Sequence, residues 1–201
     1  MIRLVLADDQ ALVRGALAAL LNLEGDLEVV AEVGRGDEVV EACRANNADV
    51  AVLDVEMPGM DGIDATLQLK KMMPHTHVLI VTTFGRPGYL RRALQSGADG
   101  FLVKDTPAKQ LADAVRRVHA GLRVVDPALA ADSLATGDSP LTARETDVLK
   151  AAVRGETVAA IADRLVLSEG TVRNHLSSAI GKTGASTRAE AARIATEFGW
   201  L

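Results

Sequence analysis

Asp54 closes the run Ala48-Asp49-Val50-Ala51-Val52-Leu53-Asp54 and is followed by Val55-Glu56-Met57-Pro58-Gly59. A short apolar run that ends in one carboxylate before a Pro-Gly turn reads as a buried strand delivering its last side chain to the strand's C-terminal edge. Asp8-Asp9, Thr82-Thr83 and Lys104 end further apolar runs in the same way. In open α/β sheets, reaction sites gather at that edge. If the strand ending at Asp8 neighbours the one ending at Asp54, three carboxylates crowd together. A hard divalent cation relieves their repulsion, and Mg2+ favours a few carboxylate oxygens with water and phosphate. A carboxylate beside such a cation can attack a phosphoryl group and become an aspartyl phosphate. The charge on the phosphoryl oxygens then calls for the cation, the Lys104 ammonium and the Thr82 hydroxyl. Taken singly, Asp8-Asp9 reads equally as a solvated strand end, Lys104 as a surface lysine and Thr82 as a β-former. Their recurrence at successive strand ends carries the chemistry.

The elements that must position these groups alternate along the first 123 residues. Apolar runs at 2–7, 27–33, 49–54, 77–82 and 100–104 read as strands, and helical spacing recurs at 11–23, 36–46, 61–73, 87–96 and 107–120. Asp61 suits a helix N-cap, Pro87 and Pro107 suit first turns, and Gly97 and Gly121 suit helix stops. Five strands alternating with five helices imply right-handed crossovers and a doubly wound five-stranded parallel sheet, flavodoxin-like in strand order. The segment 123–138 changes character through Asp126-Pro127 and Gly137-Asp138 and reads as a linker with a short helix at 128–134. From Leu141 the pattern is all helical. Thr142-Ala143-Arg144-Glu145 has capping-box spacing. A short helix at 158–165, a tight turn and a longer helix at 169–182 fit a helix-turn-helix, and a last helix spans 187–198. The expected domains are 1–122, a linker 123–138, and 139–201.

Composition narrows the classes. The chain has 201 residues and 48% hydrophobic content but only 2% aromatic, so its cores must be aliphatic. No apolar stretch reaches a membrane-spanning length, and the N-terminus lacks the apolar core of a signal peptide. The single cysteine, Cys43, excludes an internal disulfide and fits a reducing cytoplasm, the expected location. The net charge is −5, and residues 139–201 hold eight Lys/Arg against seven Asp/Glu. Charge alone therefore does not announce a nucleic-acid binder.

Asp8-Asp9, Asp54, Met57-Pro58-Gly59-Met60-Asp61-Gly62, Thr82 and Lys104 resemble the receiver domain of two-component response regulators. Leu141-Thr142-Ala143-Arg144-Glu145 and Leu167-Ser168-Glu169-Gly170-Thr171-Val172-Arg173-Asn174-His175 resemble the LuxR-type helix-turn-helix of the NarL/FixJ family. Together the resemblances cover all of the chain but the linker. They imply that Asp54 is the phosphoacceptor, served by a sensor histidine kinase. Asp9 and Asp54 would bind Mg2+ directly, Asp8 through water and Glu56 through its backbone carbonyl. Thr82 and Phe101 would form the switch pair, and Lys104 would meet a phosphoryl oxygen. Lys104-Asp105 stands where many receivers have Lys-Pro with a cis bond. In the second domain, Arg173, Asn174 and Ser177 would face bases, while Thr171 and Lys182 would meet phosphates of promoter DNA. With so little net positive charge, one such domain would bind DNA weakly, so homodimerisation on phosphorylation is expected. The candidate faces are the first helix with the fifth (Leu12, Leu17, Leu111, Val115) and the fourth helix with the fifth strand. The chain would then be a phosphorylation-activated transcriptional regulator rather than an enzyme, catalysing only its own phosphotransfer and dephosphorylation. Two other readings stay open. One is a haloacid-dehalogenase-like phosphatase, which would want an aspartate at position 56. The other is a receiver whose helical domain binds protein or RNA.

Overall fold

The structure is a computed structural model and describes residues 1–83, 85, 87–135 and 139–201. One compact unit is built from Met1–Gly85 and Tyr89–Ala131, a second chiefly from Asp132–Leu201. The end of the expected linker, 136–138, lies outside the described residues.

In the first unit the strands are β1 (Ile2–Ala7), β2 (Leu27–Val33), β3 (Val50–Leu53), β4 (His77–Thr82), β5 (Gly100–Val103) and β6 (Val124–Val125). All neighbours pair in parallel, in the order β2-β1-β3-β4-β5-β6. The helices are α1 (Ala11–Asn22), α2 (Val39–Asn46), α3 (Gly62–Met72), α4 (Pro87–Gln95), α5 (Ala108–His119) and α6 (Pro127–Ala135). The sheet thus has six strands, not the expected five. The sixth is two residues long, too short to register as a periodic pattern, and it pairs at the sheet edge with Gly100 and Phe101. It falls inside the stretch expected as linker, together with α6, which was foreseen.

Both faces of the sheet are covered. Ala51 and Leu53 of β3 enter a core with Val39 and Cys43 of α2, Ile63 and Leu69 of α3 and Leu90 and Ala93 of α4. Val50 and Val52 enter the opposite core with Leu21 of α1 and Leu111 and Val115 of α5. A strand buried on both sides has no use for polar residues, which is why β3 reads as an unbroken apolar run. Leu111 and Val115, expected on a docking face, are 3% and 0% exposed and belong to this core. The apolar stripe of α5 is consumed by the sheet. Leu12 and Leu23 on the α1 side are the outward ones, at 87% and 80% exposed.

The second unit comprises α7 (Ala143–Val153), α8 (Val158–Leu165), α9 (Glu169–Thr183) and α10 (Arg188–Glu197) around one aliphatic core. The capping box is formed: Glu145 N–H donates to Thr142 Oγ1, and Glu145 Oε2 accepts from Thr142 N–H. Ser168 caps α9 by accepting from Thr171 N–H at 3.1 Å, and Gly184 ends it in the left-handed conformation. Between α8 and α9 the turn passes through Val166 (φ 55°) and Leu167. The expected helix-turn-helix is present. No helix among the described residues is long and apolar enough to cross a membrane.

Candidate functional site

Because β1 lies beside β3, their C-terminal ends bring Asp8 and Asp54 together. Lys104 arrives just beyond β5, where its N–H donates to Thr82 O at 2.8 Å. The Lys104 ammonium bridges both acids, 2.6 Å from Asp8 Oδ2 and 2.8 Å from Asp54 Oδ2. All three side chains are nearly buried. Asp54 Oδ1 accepts from Val55 N–H at 2.6 Å, and Asp8 Oδ1 accepts from Gln10 N–H at 2.9 Å. The third acid, Asp9, is exposed, yet one oxygen from each of Asp8, Asp9 and Asp54 lies within 4.8 Å of the others.

Burial pushes the Asp54 carboxyl above its ordinary pKa. Lys104 pulls against this, and the Asp8 charge adds to the rise. Burial disfavours the Lys104 ammonium, but its bonds to Asp54 and Asp8 outweigh that cost and hold its pKa above the ordinary value. Three carboxylates against one ammonium leave two negative charges, which a divalent cation would neutralise. The donors are hard oxygens, and the acidic pocket suits such a cation.

Other expected site residues stand nearby without touching the acids. Thr82 is buried at the end of β4, and among the described residues its hydroxyl hydrogen-bonds neither Asp54 nor Lys104. Phe101 is fully buried in the core beneath α2, α3 and α4. The Glu56 carboxylate is turned to the Tyr89 hydroxyl at 3.3 Å, and no backbone hydrogen bond among the described residues uses its carbonyl. The peptide bond before Asp105 is trans, so the Lys104-Asp105 departure does alter the backbone expected of Lys-Pro.

Gly62, marked in the sequence only as the end of the 57–62 motif, braces this site from the main chain. Gly62 N–H donates to Val55 O at 2.9 Å, and a Cβ on Gly62 would sit 1.8 Å from the carbonyl oxygen of Asp54. The loop from Asp54 to α3 closes only with glycine there. Gly62→Ala should lower the thermal stability of the first unit by at least about 1–3 kcal/mol, as overpacking does. Gly25→Ala, where a Cβ meets nothing within 4 Å, should be silent in the same melt.

In α9, Val172, Leu176 and Ala179 face the core, while Arg173, Asn174 and Ser177 are exposed on one side. Arg173 pairs with Glu169 at 2.5 Å, and the Thr171 hydroxyl lies 2.8 Å from that of Ser168. Lys182, expected at a DNA phosphate, is engaged within the fold. Its ammonium sits 2.8 Å from Glu145 Oε2, while Ser178 Oγ donates to Glu145 Oε1 at 2.7 Å. The capping-box spacing revealed Glu145 but not this second, tertiary role.

Comparisons with known proteins bear on both halves. The family model described as response regulator receiver domain matches residues 4–116, and that described as bacterial regulatory proteins, luxR family, matches 139–195. The uncharacterized transcriptional regulatory protein YvfU of Bacillus subtilis (strain 168) is 43% identical over 201 residues, covering 100% of both chains. The transcriptional regulatory protein DesR of the same organism is 40% identical over 201 residues, again covering 100% of both. The crystal structure of ChrA, a response regulator in a heme-sensing two-component system, shares 33% identity at a TM-score of 0.60, covering 100% of this chain and 98% of that one. A receiver model spanning more than half the chain, a luxR-family model beyond it, and relatives aligned along their whole length lead to one assignment: the chain belongs to the transcriptional response regulators that join a receiver domain to a LuxR-type helix-turn-helix domain.

Proposed function

We propose that this regulator takes a phosphoryl group from a sensor histidine kinase onto Asp54 and thereby controls promoter binding through dimerisation. The observation that carries the reading is the Lys104 ammonium bridging Asp8 and Asp54 at the C-terminal edge of the sheet, with Asp9 beside them. Mg2+ would be held by the Asp9 and Asp54 carboxylates, with Asp8 acting through water and Glu56 offering its backbone carbonyl. When bound, it supplies charge neutralisation and polarisation of the phosphoryl oxygens.

An Asp54 oxygen attacks phosphorus, forming the acyl phosphate as the P–N bond of the phosphohistidine breaks and its electron pair returns to the imidazole. The ammonium that restrained Asp54 then meets a phosphoryl oxygen, and the Thr82 hydroxyl donates to another. Thr82 and Phe101 move together. Since Phe101 is already buried in this structure, the change is a repacking of the core rather than the burial of an exposed ring.

The receiver spans 1–122 and the reader 139–201, the connecting stretch 123–138 carrying β6 and α6, and the protein works in the cytoplasm. Arg173 and Asn174 read bases, with Ser177 beside them. Reading requires Arg173 to exchange Glu169 for guanine, a pair that contributes about 1–3 kcal/mol of discrimination. Thr171 meets phosphate, and Lys182 does so while tethered to Glu145. The exposed leucines Leu12 and Leu20 of α1, with Leu23 just beyond its end, support that helix as the dimer face. Acetyl phosphate with Mg2+ should label the wild-type chain and shift it from monomer to dimer in light scattering, and Asp54→Asn should do neither. Labelling of Asp54→Asn at the wild-type level would remove Asp54 from the mechanism.

A further inference from the structure

Arg14 has no part in the chemistry assigned so far, yet it lines the same small cavity as Asp8 and Asp54. It lies in the first turn of α1, where its N–H donates to Gln10 O at 2.9 Å. Its side chain folds back over the loop that joins β1 to α1. Nη1 donates to the main-chain oxygen of Asp8, and Nε lies 3.5 Å from Glu32 Oε2 on β2. That Nε is buried and makes no hydrogen bond of its own. A Cβ at Gly34 would come 3.4 Å from Arg14 Nη1, so the glycine leaves room for the guanidinium. A buried guanidinium nitrogen without a hydrogen bond carries a cost, and such features call for an explanation.

The acceptor supplies one. Asp8 is tied at its amide, which donates to Val33 O at 3.1 Å, and at its carboxylate by Gln10 and Lys104. Asp9 is different. Among the described residues no hydrogen bond or ion pair holds its carboxylate, although one of its oxygens belongs to the three-acid cluster. Its aim therefore depends on its own backbone, and so on the orientation of the Asp8–Asp9 peptide plane. The oxygen of that plane is the atom to which Arg14 donates.

We infer that Arg14 is a positioning residue: by clamping the Asp8–Asp9 peptide it directs the otherwise unsupported Asp9 carboxylate toward the divalent cation. The inference rests on the proposal that Asp8, Asp9 and Asp54 hold such a cation. Outer groups that orient metal ligands typically change affinity by about 10–100-fold when removed. Position and charge here act with opposite sign. Deleting a nearby positive charge should by electrostatics alone tighten cation binding, whereas loss of the clamp should weaken it.

The test is Mn2+ binding to the whole chain, read as loss of the free-ion paramagnetic resonance signal, at a temperature where circular dichroism shows every variant folded. Wild type should bind and Asp54→Ala should not. Arg14→Gln should bind about tenfold more weakly. Arg14→Lys, which keeps the charge but not the reach, should also bind more weakly. Affinity unchanged or tighter in Arg14→Gln, or unchanged in Arg14→Lys, overturns the positioning role while leaving the cation site standing. A wild-type chain that binds no Mn2+ overturns both.

Discussion

Lys104→Ala should destabilise the receiver by about 3–5 kcal/mol in the absence of divalent cation, because it strips the shared counter-charge from two buried carboxylates. One of the acids must then take up a proton or find a cation, so added Mg2+ should raise the melting temperature of Lys104→Ala by more than it raises that of wild type. Rescue of stability should not be rescue of function. The ammonium is also the fixed positive charge for the phosphoryl oxygens, and labelling by acetyl phosphate should fall by about 10²–10³-fold even with Mg2+ saturating. Lys104→Arg should recover little of it, since a planar fork does not replace a compact ammonium wedged between two acids. Melting curves with and without MgCl2, paired with labelling rates, check both parts. Equal Mg2+ shifts in mutant and wild type would mean that Lys104 is not balancing the acids.

Glu145→Ala should destabilise the second unit far more than the loss of an ordinary surface ion pair would. One carboxylate serves the capping box, Ser178 and Lys182 from a position 5% exposed. Burial works against its charge, but Lys182, Ser178 and Thr142 outweigh that and bring its pKa down to about 2. A carboxyl depressed in the folded state contributes stability that is complete above its unfolded value of 4.5 and is lost as pH falls through about 2. The shift alone would correspond to about 3 kcal/mol. Lys182 is 37% exposed and partly screened, so about 2 kcal/mol is the better expectation. Adding the lost cap, Glu145→Ala should cost about 3 kcal/mol at neutral pH. A small helical unit has little stability to spare, so DNA affinity should fall with it. Glu145→Gln should lose less at neutral pH, and its stability should fall less steeply than that of wild type between pH 5 and 2. An unaltered acid limb in that variant would show that another carboxylate governs it.

Much of this was legible in the chain itself, for identifiable reasons. Strand ends announce themselves where an apolar run stops at a charged residue, which is why the sequence alone places Asp8, Asp54 and Lys104 at one edge. Helix starts were legible at Asp61, Thr142 and Ser168, where a local side-chain acceptor sits three residues before its donor. What stayed hidden was tertiary. The strand at Val124–Val125 exists because β5 offers it an open edge, and two residues carry no period. Leu111 and Val115 look like any amphipathic stripe, and only the sheet beneath them decides that they are interior. Arg14, Gly62 and the second task of Lys182 depend on contacts between segments distant in sequence, or on a main-chain oxygen that no motif marks.

The route from Asp54 to Arg173 is best tested by DNA retardation on the whole chain, with and without acetyl phosphate and Mg2+, comparing wild type with Asp54→Ala. The phosphodonor should tighten binding of a target promoter by wild type and leave Asp54→Ala at the unstimulated level. Tightening of both to the same degree, or of neither, would contradict a switch that begins at Asp54.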